Sequence, residues 1–243
     1  MESPLLISLS GANALSRRMD VVANNIANSN SIGFKAQNML FMTQPISPVH
    51  GETLDFVIDR STYNDLTAGP VQQTGNPLDV ALTGPGYLSV KDKTGTTVYS
   101  RAGSLKLSPD GQMVDSLGNP VLSDGGDAVT VPEGTSNIAI AQDGTVSGDK
   151  GVIGKLQISE FKNPQGLIPV GNGYFSASGQ APTGEVTQTT MIQGSIEQSN
   201  VQPVLEMTQM LDISRQYQTV MNIMNQEHDR ITNAIKTLGK VSA

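Results

Sequence analysis

Residues 203–238 read PVLEMTQMLDISRQYQTVMNIMNQEHDRITNAIKTL, and this stretch decides the fold. Stepping alternately by three and four from Met207 gives Met207, Met210, Ser214, Tyr217, Met221, Met224, His228, Ile231, Ile235 and Leu238, apolar except at Ser214 and His228. That spacing keeps one narrow seam on a single face of an α-helix. Pro203 suits a first helical turn, where its missing N–H is no loss, and Gly239 suits the stop. At 1.5 Å per residue the helix is about 54 Å long, more than a compact domain of this size covers.

One other stretch carries the same seam, at the opposite end of the chain. Ser3 and Pro4 form a helix start, and Leu5, Leu9, Ala12, Ser16, Met19, Ala23 and Ile26 follow the 3-4 alternation, with Leu15 and Val22 widening the face. The turn-formers at 28–33 end this helix near Asn28. A globular bundle needs further long helices, and the sequence offers none. The expectation is therefore two terminal helices pairing as a coiled coil. Asn24, Asn25, Asn222, Asn225, Thr232 and Asn233 are weak helix formers, so the pair is expected to become fully ordered only when neighbouring copies or partner chains cover its remaining faces.

Between the ends the texture changes. Residues 34–70 are a poorly patterned connector with Pro45, Pro48 and one short alternating piece around Phe56, room for a single hairpin. From 71 to 193 short apolar runs alternate with period two, as in 78–82, 87–90 and 105–107, and turns recur at Gly84, Gly95, Gly111, Gly118, Gly126, Gly134 and Gly144. That rhythm predicts an all-β body of short antiparallel strands, with later strands at 155–161 and 185–188. The predicted class is α+β: N-terminal helix 1–33, connector 34–70, β domain 71–193, C-terminal helix 194–243.

Composition narrows the function. Only 37% of the 243 residues are hydrophobic and 4% aromatic, so the core is thin and built from Val, Ile, Leu and Ala. A net charge of -7 without any basic run excludes a nucleic-acid partner of the usual kind. With no cysteine, disulfides, thiolate catalysis and Cys-based zinc sites are excluded. No stretch reaches eighteen apolar residues, so no membrane insertion is expected. The start lacks the pattern of a cleavable secretory signal, Glu2 standing where positive charge belongs, and any export is expected to use another route.

The residues also carry a resemblance. The run 24–35, with Asn24, Asn25, Ala27, Asn28, Gly33, Phe34 and Lys35, resembles the N-terminal signature of the flagellar axial proteins, the rod and hook proteins of the bacterial flagellum, with Ser31 in place of the usual Thr. Residues 78–90 and 100–104 are similar to internal motifs of the same family, Leu105 and Ser108 replacing the usual Phe and Asp. The run 194–204, including Ser199, Asn200 and Val201, is similar to the proximal-rod subfamily, as is Pro203 with Met207; Gln218 replaces a common Glu. The resemblance implies a structural, non-enzymatic subunit of the basal-body rod in the periplasm, with its β domain outside a core of packed terminal helices. It implies as partners other rod proteins, copies of itself and the flagellar type III export apparatus, and it implies no cofactor. The seam residues Leu5, Leu9, Ala12, Met19, Val22, Ile26, Met207, Met210, Tyr217, Met221, Met224, Ile231, Ile235 and Leu238 are then the expected assembly interface.

Chemical sites compete poorly. His50 and His228 are too few and too far apart for a zinc triad. The run 143–149 resembles a calcium loop only until its twelfth position, which is Gly154 and not Glu, and it reads as a β-turn. Neither a P-loop nor a G-x-S-x-G element occurs. A β-rich cell-wall hydrolase is the alternative class; it needs paired carboxylates, for which Glu197 with Glu206 and Asp212 with Asp229 are the candidates. A distal rod or hook subunit is the alternative within the family.

Overall fold

The computed structural model describes residues 3–46, 54–177, 179–183 and 188–241. His50 and most of the strand expected at 185–188 lie outside the described residues. The chain forms two compact units, one of residues 1–27, 37–64 and 202–243, the other of residues 28–36 and 65–201.

The first unit contains α1 (Ser3–Ala27), β1 (Gln37–Ile46), β2 (Leu54–Asn64) and α2 (Pro203–Val241). α1 packs on α2 and also on both strands. Near the end of α1, Asn25 donates to Glu206 in the first turn of α2 at 3.2 Å, so the two helices run antiparallel. Their contact is thin. On α1 the small residues Ala12 and Ala14 are buried with Val22, and on α2 Ile213 is 1% exposed, worth about 1.5–3 kcal/mol of burial. Because α2 has 39 residues against 25 in α1, equal rise per residue brings the start of α1 opposite about His228. Residues 233–237, beyond that point, are all exposed.

One detail differs from the sequence expectation. α2 does not stop at Gly239 but continues to Val241, since an isolated glycine weakens a helix by only about 1 kcal/mol relative to alanine. The poorly patterned stretch forms a long antiparallel hairpin, Gln37 pairing with Asn64 and Ile46 with Leu54, bulged between Leu40 and Phe41.

Among the described residues the second unit is all-β apart from one short 3-10 turn at Pro164–Gly166. Its strands include β3 (Val71–Gln73), β4 (Val80–Thr83), β5 (Tyr87–Lys91) and β6 (Thr97–Ser100). β5 and β6 are central in a five-stranded antiparallel sheet, flanked by 158–159 on one side and by 174–176 then 168–171 on the other. β5 alternates between two cores. Leu88 and Val90 enter the main one with Val80, Leu105, Met113, Val121 and Leu156, while Tyr87 enters a small aromatic cluster with Tyr99, Phe161 and Phe175. Ser89 at the centre of β5 and Ser159 of the neighbouring strand satisfy each other at 2.9 Å. β3 pairs with 195–197 and β4 with 190–193, which returns the chain beside the strands that opened the unit.

Candidate functional site

In the second unit three segments that are distant in sequence meet on one buried carboxylate. Lys35 closes the N-terminal motif, Arg101 belongs to the 100–104 motif, and Glu197 to the motif that precedes α2. Glu197 Oε1 accepts from Lys35 Nζ at 2.6 Å and from the backbone N–H of Gly69 at 3.0 Å. Its Oε2 lies 3.4 Å from a terminal nitrogen of Arg101. The side chains of all three are at most 4% exposed. Lys35 also donates to the Thr67 carbonyl at 2.8 Å, and Arg101 donates to the carbonyls of Leu82 and Gly84. The Arg101 guanidinium lies 5.3 Å from the centre of the Tyr87 ring, within cation–π range. Burial lowers the Lys35 pKa from its ordinary value, and the bond and charge of Glu197 oppose that.

The backbone around the cluster is laced just as tightly. The Gly33 N–H donates to the Glu197 carbonyl at 2.8 Å. Gly33 has φ +68, and a Cβ there would stand 2.4 Å from the Arg101 carbonyl carbon, so only glycine fits. Asn200 accepts from the Ala36 N–H at 2.7 Å and donates to the carbonyls of Asp65 at 2.9 Å and Thr67 at 3.1 Å. Ser199 Oγ accepts from the N–H of Val201, which is buried. Phe34 is half-buried, and Asn28 accepts from Ser31 in the turn after α1.

In the first unit Asn25 is 1% exposed and acts as an extra backbone partner for β1. It accepts from the Gln37 N–H and donates to the Gln37 carbonyl, both at 2.9 Å, while also bonding Glu206. Asn24 and Ala27 are exposed. Glu206 sits in the first turn of α2, where unpaired N–H groups favour a carboxylate. Burial raises its pKa, opposed by the Asn25 hydrogen bond and by the charge of Arg18. Its Oε2 has no hydrogen-bond partner among the described residues. Beside it is a cavity of about 270 Å³ walled by Arg18, Val22, Asn25, Met39, Phe41 and Glu206, among others.

The expected interface residues divide in two. Ala12 and Val22 are buried; Leu5, Met19, Ile26, Met210, Tyr217, Met221, Met224 and Ile231 are half-buried; Leu9, Met207 and Ile235 are exposed. The side chain of Leu238 lies outside the described residues. On α2 the covered side is centred on Glu206, Met210, Ile213, Tyr217, Val220, Met224 and Ile231. Val204, Met207 and Leu211 stay uncovered, at 79%, 52% and 60% exposure. His228 is exposed.

Three of the four candidate carboxylates are engaged elsewhere than in a catalytic pair, Glu197 by Lys35, Glu206 by Asn25, and Asp212 by an exposed contact with Arg215 at 4.0 Å, and the fourth, Asp229, is exposed on α2. No cluster able to hold a metal ion occurs among the described residues. None of their helices is long and apolar enough to cross a membrane. Sequence reasoning set Glu197 and Glu206 apart only as candidate carboxylates, gave Lys35 and Arg101 no role beyond their motifs, and missed Ile213. The available signal was that three charged residues stand inside family motifs where apolar spacing gives them no role.

This pairing of terminal helices with a body of short β-strands is the plan of an axial structural subunit. Three segments match known families: residues 5–35 the flagella basal body rod protein family, residues 81–148 the flagellar hook protein FlgE/F/G D1 domain, and residues 192–237 the flagellar basal body rod FlgEFG protein C-terminal family. The flagellar basal-body rod protein FlgF of Caulobacter vibrioides is 32% identical over the full length of both chains. FlgF of Salmonella typhimurium is 32% identical over 92% of this chain and 93% of its own, and FlgG of Agrobacterium fabrum is 30% identical over 88% and 91%. The chain belongs to the flagellar basal-body rod protein family. It is a structural protein of the flagellar basal-body rod and not an enzyme.

Proposed function

We propose that the chain is a subunit of the proximal rod that polymerises through its terminal helices, with copies of itself and with other rod proteins, into the shaft that carries torque across the periplasm. The observation that carries this reading is the uncovered apolar face at the start of α2, Val204, Met207 and Leu211, together with the free far end of the same helix. An exposed apolar face of this kind marks an interaction site. Contacts that pass from the head of one copy to the tail of the next do not close, and so build a filament from one chain. Segments 1–33 and 194–243 supply the axial core, with the hairpin of β1 and β2 alongside α1. The flagellar type III apparatus exports the subunit.

Relatives named FlgF support the proximal position, and the FlgG relatives favour a distal-rod subunit as the second reading. Deleting the gene and imaging basal bodies separates them. A proximal subunit leaves no rod beyond its own level, whereas a distal one leaves the proximal rod standing. Complementation with Val204→Asp and Leu211→Asp together is expected to abolish swimming while both units still fold. Normal swimming with that variant would refute assembly through this face.

A further inference from the structure

The chain has no cysteine and no tryptophan but ten methionines, so thioether sulfur is the group that a two-electron oxidant attacks first. Their placement is uneven. In the second unit Met113 and Met191 are 0% and 1% exposed, sealed in the main core. In the first unit Met19, Met39, Met210, Met221 and Met224 are half-buried, while Met207 at 52% and Met42 at 46% stand in solvent. Oxidation of such sulfurs follows exposure, so the oxidisable side chains sit in the unit built from the terminal helices and the hairpin.

Met207 is set apart from Met42 by its neighbours. Val204 lies one turn before it on α2 and Leu211 one turn after, so its sulfur is the middle of the uncovered apolar face. A thioether there is flexible and apolar and adapts to whatever covers it. With a hydroperoxide, the sulfur lone pair attacks one peroxide oxygen, the O–O bond breaks, an S–O bond forms, and the other oxygen leaves as water or alcohol. Sulfur gives up two electrons and the peroxide takes them. The sulfoxide is polar, and its oxygen accepts hydrogen bonds. Covered by an apolar partner that oxygen finds no donor, and an unpaired buried acceptor weakens association about tenfold or more.

We propose that Met207 is an oxidation site that sets whether the α2 face can be covered: the thioether permits assembly and the sulfoxide formed by a hydroperoxide blocks it, which rests on the reading of Val204, Met207 and Leu211 as an assembly face. On the purified full chain, hydrogen peroxide followed by peptide mass spectrometry is expected to oxidise Met207 about tenfold or more faster than Met113 and Met191. In flagellated cells basal bodies are counted with and without sublethal peroxide during growth. Peroxide is expected to lower the count about tenfold in wild type and in Met42→Leu. In Met207→Leu, which keeps the apolar volume without the sulfur, the two counts are expected to match. Met207→Gln, polar without any oxidant, is expected to assemble about tenfold less than Met207→Leu.

Oxidation at 207 no faster than at 113 and 191 would overturn the site. Equal losses under peroxide in wild type and Met207→Leu would do the same, since every other oxidisable target is shared between those strains. Failure of Met207→Leu to assemble at all would show that the face needs the methionine itself and not merely an apolar group, and would overturn it too. If Met207→Gln assembles as well as Met207→Leu while Val204→Asp with Leu211→Asp does not assemble, the oxidation site falls and the assembly reading stands. If that double variant also assembles normally, both fall together.

Discussion

Replacing Glu197 by Gln changes one atom and should be among the most damaging substitutions in the second unit. At an effective dielectric of about 20, unit charges 2.6 Å apart attract by about 6 kcal/mol and charges 3.4 Å apart by about 5 kcal/mol; these are the separations of Glu197 from Lys35 and Arg101. Lost hydration offsets most of this gross attraction. What remains on breaking a buried pair is about 3–5 kcal/mol. Glu197→Gln removes both attractions and strands two buried basic groups without the carboxylate they share. Lys35→Met removes one attraction, ends the repulsion between Lys35 and Arg101, and leaves Glu197 with Arg101 and the Gly69 N–H. It also removes the bond to the Thr67 carbonyl, and it should cost about 1.5–3 kcal/mol, the worth of a hydrogen bond to a charged group and less than the loss of the shared carboxylate. Hydrogen exchange followed by mass spectrometry on the full chain reads this directly, through opening free energies of peptides covering 31–36, 65–70 and 195–201, with peptides over 80–100 as reference. If Lys35→Met lowers protection as far as Glu197→Gln, or Glu197→Gln leaves it unchanged, the cluster is not organised around the carboxylate.

Gly33→Ala is expected to destabilise the same segments by about 1–3 kcal/mol through its left-handed backbone alone, and by more because the new Cβ meets the Arg101 backbone at 2.4 Å; exchange of peptides 31–36 and 98–104 checks it. Asn200→Ala strands the Ala36 N–H and removes the bonds of Nδ2 to Asp65 and Thr67, so a loss of about 2–4 kcal/mol is expected in urea unfolding monitored by exchange at 34–36 and 65–67. Glu206 has a folded-state pKa above its ordinary 4.5, so the folded chain holds a proton that the unfolded chain has released. The helix pair should lose stability as pH rises from about 4.5 through the raised value. Glu206→Gln should flatten that slope and make the pair more stable than wild type at pH 7, as measured by exchange of α1 and α2 peptides across the range.

What the sequence made legible was what local spacing can encode. The 3-4 series at each end defines a helix whatever lies against it, and the glycine-punctuated rhythm after residue 71 defines short strands. Rotation of α2 about its own axis was harder to read, because apolar residues flank the seam on both sides: Ile213 beside Ser214, Val220 beside Met221, Ile223 beside Met224. The antiparallel partner settles it by covering Ile213 and Glu206 and leaving Met207 and Leu211 bare. The length of the hairpin was hidden too. In β1 the apolar residues Met39, Leu40, Phe41 and Met42 run together after Asn38, and Pro45 follows, so neither period two nor a turn signal marks the strand's extent.

The charge cluster was illegible for a different reason. Lys35, Arg101 and Glu197 each look like solvated surface residues, and nothing within ten positions of any of them reveals a partner. Their partnership is purely long-range, and that gives it a use that apolar packing cannot serve. A leucine moved by one residue along a strand still finds oil around it, whereas a buried ammonium moved by the same step loses the carboxylate it is bonded to, at a cost of several kcal/mol. Three segments pinned through one carboxylate therefore have a single register. Their backbones reinforce it: Gly33 against Arg101, and Gly69 against the Gln198 carbonyl, where a Cβ would come within 1.9 Å. A thin core with 4% aromatic residues cannot obtain that rigidity from bulk. In a subunit proposed to pass torsional load, fixing the crossing of these segments by charge and close backbone contact resists sliding in a way that added apolar area would not.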